Sequence, residues 1–428
     1  MSVQITIALI LMLVLLFLKV PVYLSVIAGS AVYFFLNPGV NSMILAQRVV
    51  SSVQSSSLLA VPFFVCAGVF MNYSGVTRRI MALCDVLTGR LYGGLAQVNV
   101  LLSTLMGGLS GSSLADAAME AKILVPAMEE KGMSKEFSSV VTAASAMITP
   151  LIPPGIAMIL FGSLADLSIG KLFVSGIGVG LMLCLGEMVT VSVISRRRGY
   201  MPSRQQRLKS KEVLPVLKEA VLPLCLPVII IGGIRLGVFT ATEAGSVAVI
   251  YSVILGLIYK ELDWKTIKDG VKETVISTTS IMLIIGAASA LSWILTKEQI
   301  PQSLTNMMLQ ATSSKYVFLI LCNLFLLFVG MFIEGNAAMI ILVPLLYPIA
   351  LSYGINAIQF AMVFIFNMAI GSLTPPMGTL MFVVCNETKC PLKTFIKESI
   401  PFYVTLLGEL LLMTFIPILT TGLVDLIY

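Results

Sequence analysis

Apolar stretches about as long as a bilayer is thick recur from residue 3 to residue 425, and short loops separate them. A stretch of about 20 such residues is the length a helix needs to cross the hydrocarbon core. Only 11% of the side chains are charged and the mean hydropathy is +1.00, against about 25% charged in an ordinary soluble domain. Too few polar groups remain to cover a water-soluble surface, so lipid must solvate much of it. The first stretch, Ile5 to Leu18, lacks a basic leader and a small-residue cleavage site, and a second apolar segment follows at once. It therefore reads as a retained span rather than a signal peptide.

Spans are expected at roughly 3–18, 22–36, 58–76, 136–165, 172–195, 220–236, 241–259, 276–294, 357–386 and 402–425. Two further apolar pairs, at 92–130 and 316–350, read as re-entrant hairpins. Basic residues mark the cytoplasmic side. They cluster at Arg78, Arg79 and Arg90; at Arg196, Arg197, Arg198, Arg204, Arg207, Lys209, Lys211 and Lys218; from Lys260 to Lys272; and at Lys389, Lys393 and Lys397. With both termini periplasmic, all four clusters fall inside, but only if each hairpin returns to the side it entered from. The two halves then run through the membrane in opposite senses.

Internal repetition points the same way. Ile123-Leu-Val-Pro126 recurs as Ile341-Leu-Val-Pro344, a shift of 218, which sets Asp116 opposite Glu334. Pro153-Pro154-Gly155 recurs as Pro375-Pro376-Met377-Gly378 at a shift of 222, shared by Gly132 and Gly354, Lys171 and Lys393, and Phe173 and Phe395. The chain divides into scaffold spans (1–57), a first repeat (58–195), a basic loop with central scaffold spans (196–275) and a second repeat (276–428). The expected fold is an all-α polytopic membrane protein: an inverted repeat with two re-entrant hairpins and two discontinuous helices. In duplicated, inverted architectures, substrate and ion sites lie near the midplane at the discontinuous helices.

Three motifs carry the chemistry. Gly107-Gly-Leu-Ser-Gly-Ser-Ser113 places three glycines and three serines in seven residues, and each glycine weakens a helix interior by about 1 kcal/mol relative to alanine. It reads as an unwound hairpin tip, and such backbone survives at membrane depth only inside protein or beside a water-filled cavity. The hydroxyls of Ser110, Ser112 and Ser113, with freed carbonyls, suit a small hard cation; close helix packing through small residues is the alternative. Gly108-Leu-Ser-Gly111 also fits the nucleophile motif of intramembrane serine proteases. A serine nucleophile needs a base, and the chain contains no histidine, so proteolysis is rejected.

The second motif is Thr149-Pro-Leu-Ile-Pro-Pro-Gly155 with its counterpart Gly371-Ser-Leu-Thr-Pro-Pro-Met-Gly-Thr379. A double proline removes two consecutive amide donors. The carbonyls of Thr149 and Pro150, and of Gly371 and Ser372, lose their helical partners, and each copy should split into two half-helices. The carbonyl end of one half attracts a cation and the amide end of the next an anion. The third motif is Glu334-Gly-Asn336 at the second hairpin tip. A carboxylate at membrane depth costs at least about 2.5–3.5 kcal/mol and suggests function, although Asp116 and Glu334 could both be helix caps. Arg235, Glu243 and Glu187 are expected near span ends or interfaces.

At these residues the chain resembles the large membrane subunit of tripartite ATP-independent periplasmic (TRAP) transporters over essentially its whole length. The motifs that carry the resemblance are Val61-Pro-Phe-Phe64, Gly108-Leu-Ser-Gly-Ser-Ser113 with Asp116, Ile152-Pro-Pro-Gly155, Glu334-Gly-Asn336 and Leu373-Thr-Pro-Pro-Met-Gly378. The resemblance implies a sodium-driven, elevator-type importer of organic acids in the bacterial inner membrane, of the C4-dicarboxylate, keto-acid or sialic acid class. It also implies a separate four-span small subunit and a periplasmic substrate-binding protein. One sodium site would take Ser110, Ser112, Ser113, Thr149, Pro150 and Gly155. A second would take Glu334, Gly335, Asn336, Gly371, Ser372, Thr374 and Gly378. Substrate would meet Ser112, Asp116, Pro154, Asn336, Pro376 and Thr379.

No enzymatic activity, nucleic-acid partner or cofactor other than the coupling ion Na+ is expected. The net charge of +6 sits in short loops, and the seven cysteines have no metal-ligand spacing. No phosphate-binding Gly-x4-Gly-Lys-Ser/Thr loop occurs. The rival readings are a passive channel or scaffold subunit, and a proton-coupled anion carrier working without a binding protein. The missing histidine and an expected paucity of buried acids weigh against protons.

Overall fold

A computed structural model describes residues 3–18, 20–54, 58–204, 206 and 210–428; Arg207 and Lys209 of the central basic cluster, and the division at residue 57, lie outside the described residues. All regular structure among the described residues is helical. The chain opens with α1 (Val3–Phe17), α2 (Val22–Leu36) and α3 (Met43–Val53), and α4 (Ala60–Tyr73) then turns by 72° into α5 (Val76–Thr88). A helical pair α6 (Gly94–Ser110) and α7 (Ser113–Glu130) precedes an interrupted helix, α8 (Lys135–Ser145) and α9 (Ile156–Ala165), and the long α10 (Ile169–Arg198). The middle of the chain holds α11 (Ser210–Arg235), α12 (Ala241–Ile258), α13 (Trp264–Lys297) and α14 (Ile300–Ala311). The first pattern then recurs: the pair α15 (Lys315–Gly330) and α16 (Gly335–Ser352), the interrupted helix α17 (Ala357–Leu373) and α18 (Thr379–Thr388), and α19 (Leu392–Phe415), followed by the short α20 (Ile418–Ile427).

Six of the described helices are long and apolar enough to cross a bilayer unaided, and up to eight segments are if each bent pair counts as one span. Three stretches read as loops are helical instead: α3, α5 and α14. The basic clusters also sit largely on helix ends, since α10 runs on to Arg198 and α13 begins at Trp264. The expected span 402–425 is two helices, because α19 ends at Phe415 and Pro417 starts a new one. Proline lacks the amide that would continue the helix.

The repeat register is one value throughout. α7 starts at Ser113 and α16 at Gly335, and both run up to a left-handed glycine, Gly132 (φ +82°) or Gly354 (φ +68°). That offset is 222, so Pro126 corresponds to Pro348 rather than to Pro344. The match at 218 is out of register by one helical turn, because α16 carries two prolines one turn apart. The pairing of Asp116 with Glu334 is therefore corrected: Glu334 corresponds to Ser112, and Asp116 to Ala338.

Both double prolines break their helices. After α8 comes a 3-10 turn, Thr149–Leu151, then extended backbone at Ile152 (ψ 129°) and Gly155 (ψ 130°), and α9 leaves at 40°. In the second copy Thr374 is extended (ψ 134°) between α17 and α18. The peptide bond between the two prolines is cis in both. The halves interlock: α7 packs on α18, and α16 packs on α9, so each pair supports the other repeat's interrupted helix.

Missing side chains let the backbones meet at these breaks. A Cβ on Gly107 would lie 2.9 Å from Thr149 Cα, and one on Gly371 would lie 2.6 Å from Gly330 Cα. Ion pairs join the basic clusters at the other end of the helices. Arg78 bonds Glu261 at 3.0 Å, Arg79 lies 3.9 Å from Glu219, Arg204 bonds Asp85 at 2.9 Å, and Arg198 bonds Glu398 at 2.6 Å. All four basic clusters thus share one face of the molecule.

Filling the Gly330–Gly371 contact should cost about 1–3 kcal/mol, the usual price of overpacking. Gly371→Ala is expected to lower the thermal midpoint of the purified protein, whereas Gly232→Ala on α11, with nothing within 4 Å, should leave it unchanged or slightly raised. Equal midpoints for the two variants would disprove the contact.

Candidate ion and substrate site

The two hairpin turns and the two helix breaks converge on one cleft. Gly111, Ser112 and Ser113 line it from the first turn and Glu334, Gly335 and Asn336 from the second. Pro150 comes from the first break, Ser372 from the second, and Thr379 from the start of α18. Met339, Ile365 and Met368 give it an apolar wall that sequence reasoning did not select. Apolar walls with a few convergent polar groups are the usual make-up of small-molecule sites.

Behind the first turn lies a buried carboxylate. Asp116 is fully buried, and its Oδ2 accepts from Ser110 Oγ at 2.5 Å and from Thr149 Oγ1 at 3.1 Å. Ser110 belongs to α6 and Thr149 to the first break, so one carboxylate oxygen fastens the hairpin to the interrupted helix. Its Oδ1 is buried with no partner among the described residues. A buried charge left uncompensated is costly, so this oxygen is open to a further polar or ionic partner. Asp116 is thus not a helix cap. That role belongs to Ser112 and Glu334, which accept from Ala115 N at 3.4 Å and Ala337 N at 3.0 Å.

The breaks expose fewer carbonyls than expected. The Thr149 carbonyl accepts from Ile152 N at 3.3 Å, and that of Gly371 from Thr374 N at 3.0 Å, because a residue three positions on replaces the proline four positions on. Pro150 and Ser372 face Pro154 and Pro376 at the helical spacing, and neither has an amide to offer. Close approach holds the geometry: a Cβ on Gly155 would collide with the Pro150 carbonyl, and one on Gly378 would lie 2.7 Å from the Ser372 carbonyl.

The selected residues divide accordingly. Ser112, Ser113, Pro150, Glu334, Gly335, Asn336, Ser372 and Thr379 line the cleft, and Ser110, Asp116 and Thr149 form the clamp behind it. Pro154, Gly155, Gly371, Thr374 and Gly378 shape the breaks without lining the cleft, and Pro376 is exposed outside it. The Thr374 hydroxyl is taken up by Ile370 O at 2.7 Å. At an offset of 222 the clamp residues correspond to Phe332, Ala338 and Gly371, so the second repeat has no copy of the clamp.

Acids are buried where the sequence led us to expect few. Glu120 is buried one turn beyond Asp116, with Ser103 Oγ donating to its Oε2 at 2.7 Å, and Glu187 and Glu409 are buried as well. Glu187 is not at a span end. The signal for Glu120 was its helical spacing from Asp116 in an apolar helix.

Residues 9–419 match the model of the family described as "Tripartite ATP-independent periplasmic transporter, DctM component". The chain is 38% identical over 408 residues to the sialic acid TRAP transporter large permease protein SiaM of Vibrio cholerae, covering 94% of each chain. It is 35% identical over 380 residues to the C4-dicarboxylate large permease protein DctM of Pseudomonas aeruginosa, covering 89% of this chain and 88% of that one. With the 2,3-diketo-L-gulonate large permease protein YiaN of Escherichia coli it shares 34% over 392 residues, covering 91% and 92%. The fold is similar to that of the YdaH transporter of Alcanivorax borkumensis, with a TM-score of 0.57 at 14% identity over 87% of this chain and 86% of that one. The apolar helices, the paired hairpins and interrupted helices, and these relatives agree: the chain belongs to the DctM, or large permease, family of TRAP transporters.

Proposed function

We propose that this protein is the permease subunit of a sodium-coupled importer of an organic acid in the bacterial inner membrane. The observation that carries the reading is the convergence of two hairpin turns and two proline breaks on one cleft, with the Asp116 clamp behind it. A sodium ion at the first turn would satisfy Asp116 Oδ1 and draw on the Pro150 carbonyl. A second, at the other turn, would draw on Glu334 and the Ser372 carbonyl. Each repeat thus offers one carboxylate near its turn, placed one helical turn apart in the repeat register. Cations there offset the carboxylates and carbonyl dipoles and make the cleft receptive to an anion, which Ser112, Asn336 and Thr379 can hydrogen-bond. Each net positive charge carried inward gains about 2.3 kcal/mol per 100 mV.

The hairpins are read as re-entrant, with both chain termini periplasmic. The interlocked hairpins and breaks move together against α1–α4 and α11–α13 in an elevator step. The relatives' names point to carboxylic and sugar-acid substrates, and the tripartite family description to a small membrane subunit and a periplasmic binding protein as partners.

Proteoliposomes with the partner subunits test the reading. Uptake against a gradient should require sodium, and an imposed proton gradient alone should not replace it; the reverse result would establish the proton-coupled reading. Asp116→Asn weakens hydrogen bonds to a charged group, each worth about 1.5–3 kcal/mol, and should raise the sodium concentration for half-maximal uptake about tenfold or more. Ser112→Ala with Ser113→Ala should lower uptake by loss of turn hydroxyls. Unchanged sodium dependence in Asp116→Asn would remove the first sodium site from the proposal.

A further inference from the structure

A cavity of about 360 Å³ opens between α3, α9, α13 and α16, apart from the cleft. Its volume lies within the range of small-molecule sites, about 300–1,000 Å³. One face of α13 turns Ser289, Ser292 and Thr296 onto it, at the i, i+3 and i+7 spacing of a helical stripe. Ser163 at the end of α9 faces them, and its Oγ is buried with no partner among the described residues. The Thr296 hydroxyl donates to Ser292 O at 2.8 Å, whereas no protein group takes up the hydroxyls of Ser289 and Ser292 among the described residues. Arg48 of α3 is the one charged residue among the described residues of the wall, and no ion pair holds it there. Lys297 Nζ adds a second positive charge nearby, 5.4 Å over the ring of Trp293, which also lines the cavity. The acids next along the chain, Asp166 and Glu298, do not line it, and Glu298 accepts from Tyr33 Oη at 2.6 Å.

The position of the cavity ties it to the cleft. Lys265, Lys268 and Lys272 stand at the start of α13 and the hydroxyl stripe near its end, so the cavity lies far from the basic face. Two helices border both spaces. α9 carries Ala157 in the cleft and Ser163 in the cavity, six residues or about 9 Å apart at 1.5 Å per residue. On α16, Met339 lines the cleft and its neighbour Ile340 the cavity, and both are buried. The opposite wall belongs to α3 and α13, outside the interlocked hairpins and breaks.

A guanidinium among free hydroxyls binds a carboxylate through charge-assisted hydrogen bonds, and low-dielectric walls focus its field. We infer that this cavity is a second anion site, where the carboxylate of an organic acid rests on Arg48, Ser163, Ser289 and Ser292 before it reaches the cleft. The inference rests on the reading of the protein as an organic-acid importer, which puts the cavity on the side of entry. Arg48 captures the acid by charge, the α13 hydroxyls orient it, and Met339 and Ile340 separate this station from the cleft.

Thiol labelling of the full-length S289C variant in phosphatidylcholine nanodiscs tests the site without transport, with wild type as the background for the native cysteines. The reagents are two methanethiosulfonates, one an anionic sulfonate and one a cationic trimethylammonium. Adding R48Q to S289C should lower the ratio of anionic to cationic rates about tenfold, the effect of removing one charge several ångströms away, whereas R48K should keep most of it. Millimolar succinate or sialic acid should slow the anionic reagent on S289C and have no effect once R48Q is added. S292C serves as the reporter if S289C does not fold. An unchanged ratio in R48Q, or protection by neither acid, overturns the inference. Protection by phosphatidylglycerol where the acids give none also overturns it, because the cavity would then hold lipid headgroups. In proteoliposomes R48Q should raise the acid concentration for half-maximal uptake several-fold; a shifted sodium requirement in its place would count against an anion site. A wild type that carries no acid defeats the importer reading, whereas the labelling result stands by itself, so the two fail separately.

Discussion

Four prolines decide where this molecule cannot be a continuous helix. Pro153-Pro154 and Pro375-Pro376 remove the amides that would have closed the last turns of α8 and α17, in a setting where water is not at hand to replace them. Each freed group must find another answer. Thr149 and Gly371 settle for a partner three residues on, Pro150 and Ser372 are left facing prolines, and the hairpin turns close over the gap. Those turns can come so near only because Gly107, Gly330 and Gly371 have no side chain to keep them away.

The two repeats answer the same constraint with different chemistry. In the first, a buried aspartate draws two hydroxyls onto one oxygen and ties hairpin to break. In the second, the corresponding positions are Phe332, Ala338 and Gly371, and the approach is glycine against glycine. One joint is held by charge and hydrogen bonds, the other by bare backbone contact. A duplicated fold with unequal joints has two chemically different environments at its breaks rather than one made twice. The acids of α10 and α19 are the opposite case: there the repeats have kept the same residue, Glu187 and Glu409, and both copies are buried.

Much of the architecture was legible because its causes are local. Span positions follow from apolar length, the breaks from paired prolines, the hairpin turns from glycine and serine runs, and the common face of the basic clusters from loop charge. The short, amphipathic α3 and α5 lack the long apolar run that marks a span, so hydropathy alone does not reveal them. The register error has a local cause too: Pro344 and Pro348 lie one turn apart, and a short motif cannot tell them apart, whereas the shared helix ends can. Glu187 and Glu409 stand at the common offset of 222 in the sequence, but their burial depends on how α10 and α19 pack.

By itself the sequence determined that the chain lives in lipid, that it is a duplication, and where its helices must stop, since hydropathy, repetition and missing amides are properties of neighbouring residues. Only the tertiary structure decided which acids lose their water. Asp116 meets Thr149 across 33 residues, and Glu409 of the second repeat comes to rest against Gly186 of the first. Burial and partnership at such distances are set by how helices pack, and packing is a property of the whole fold.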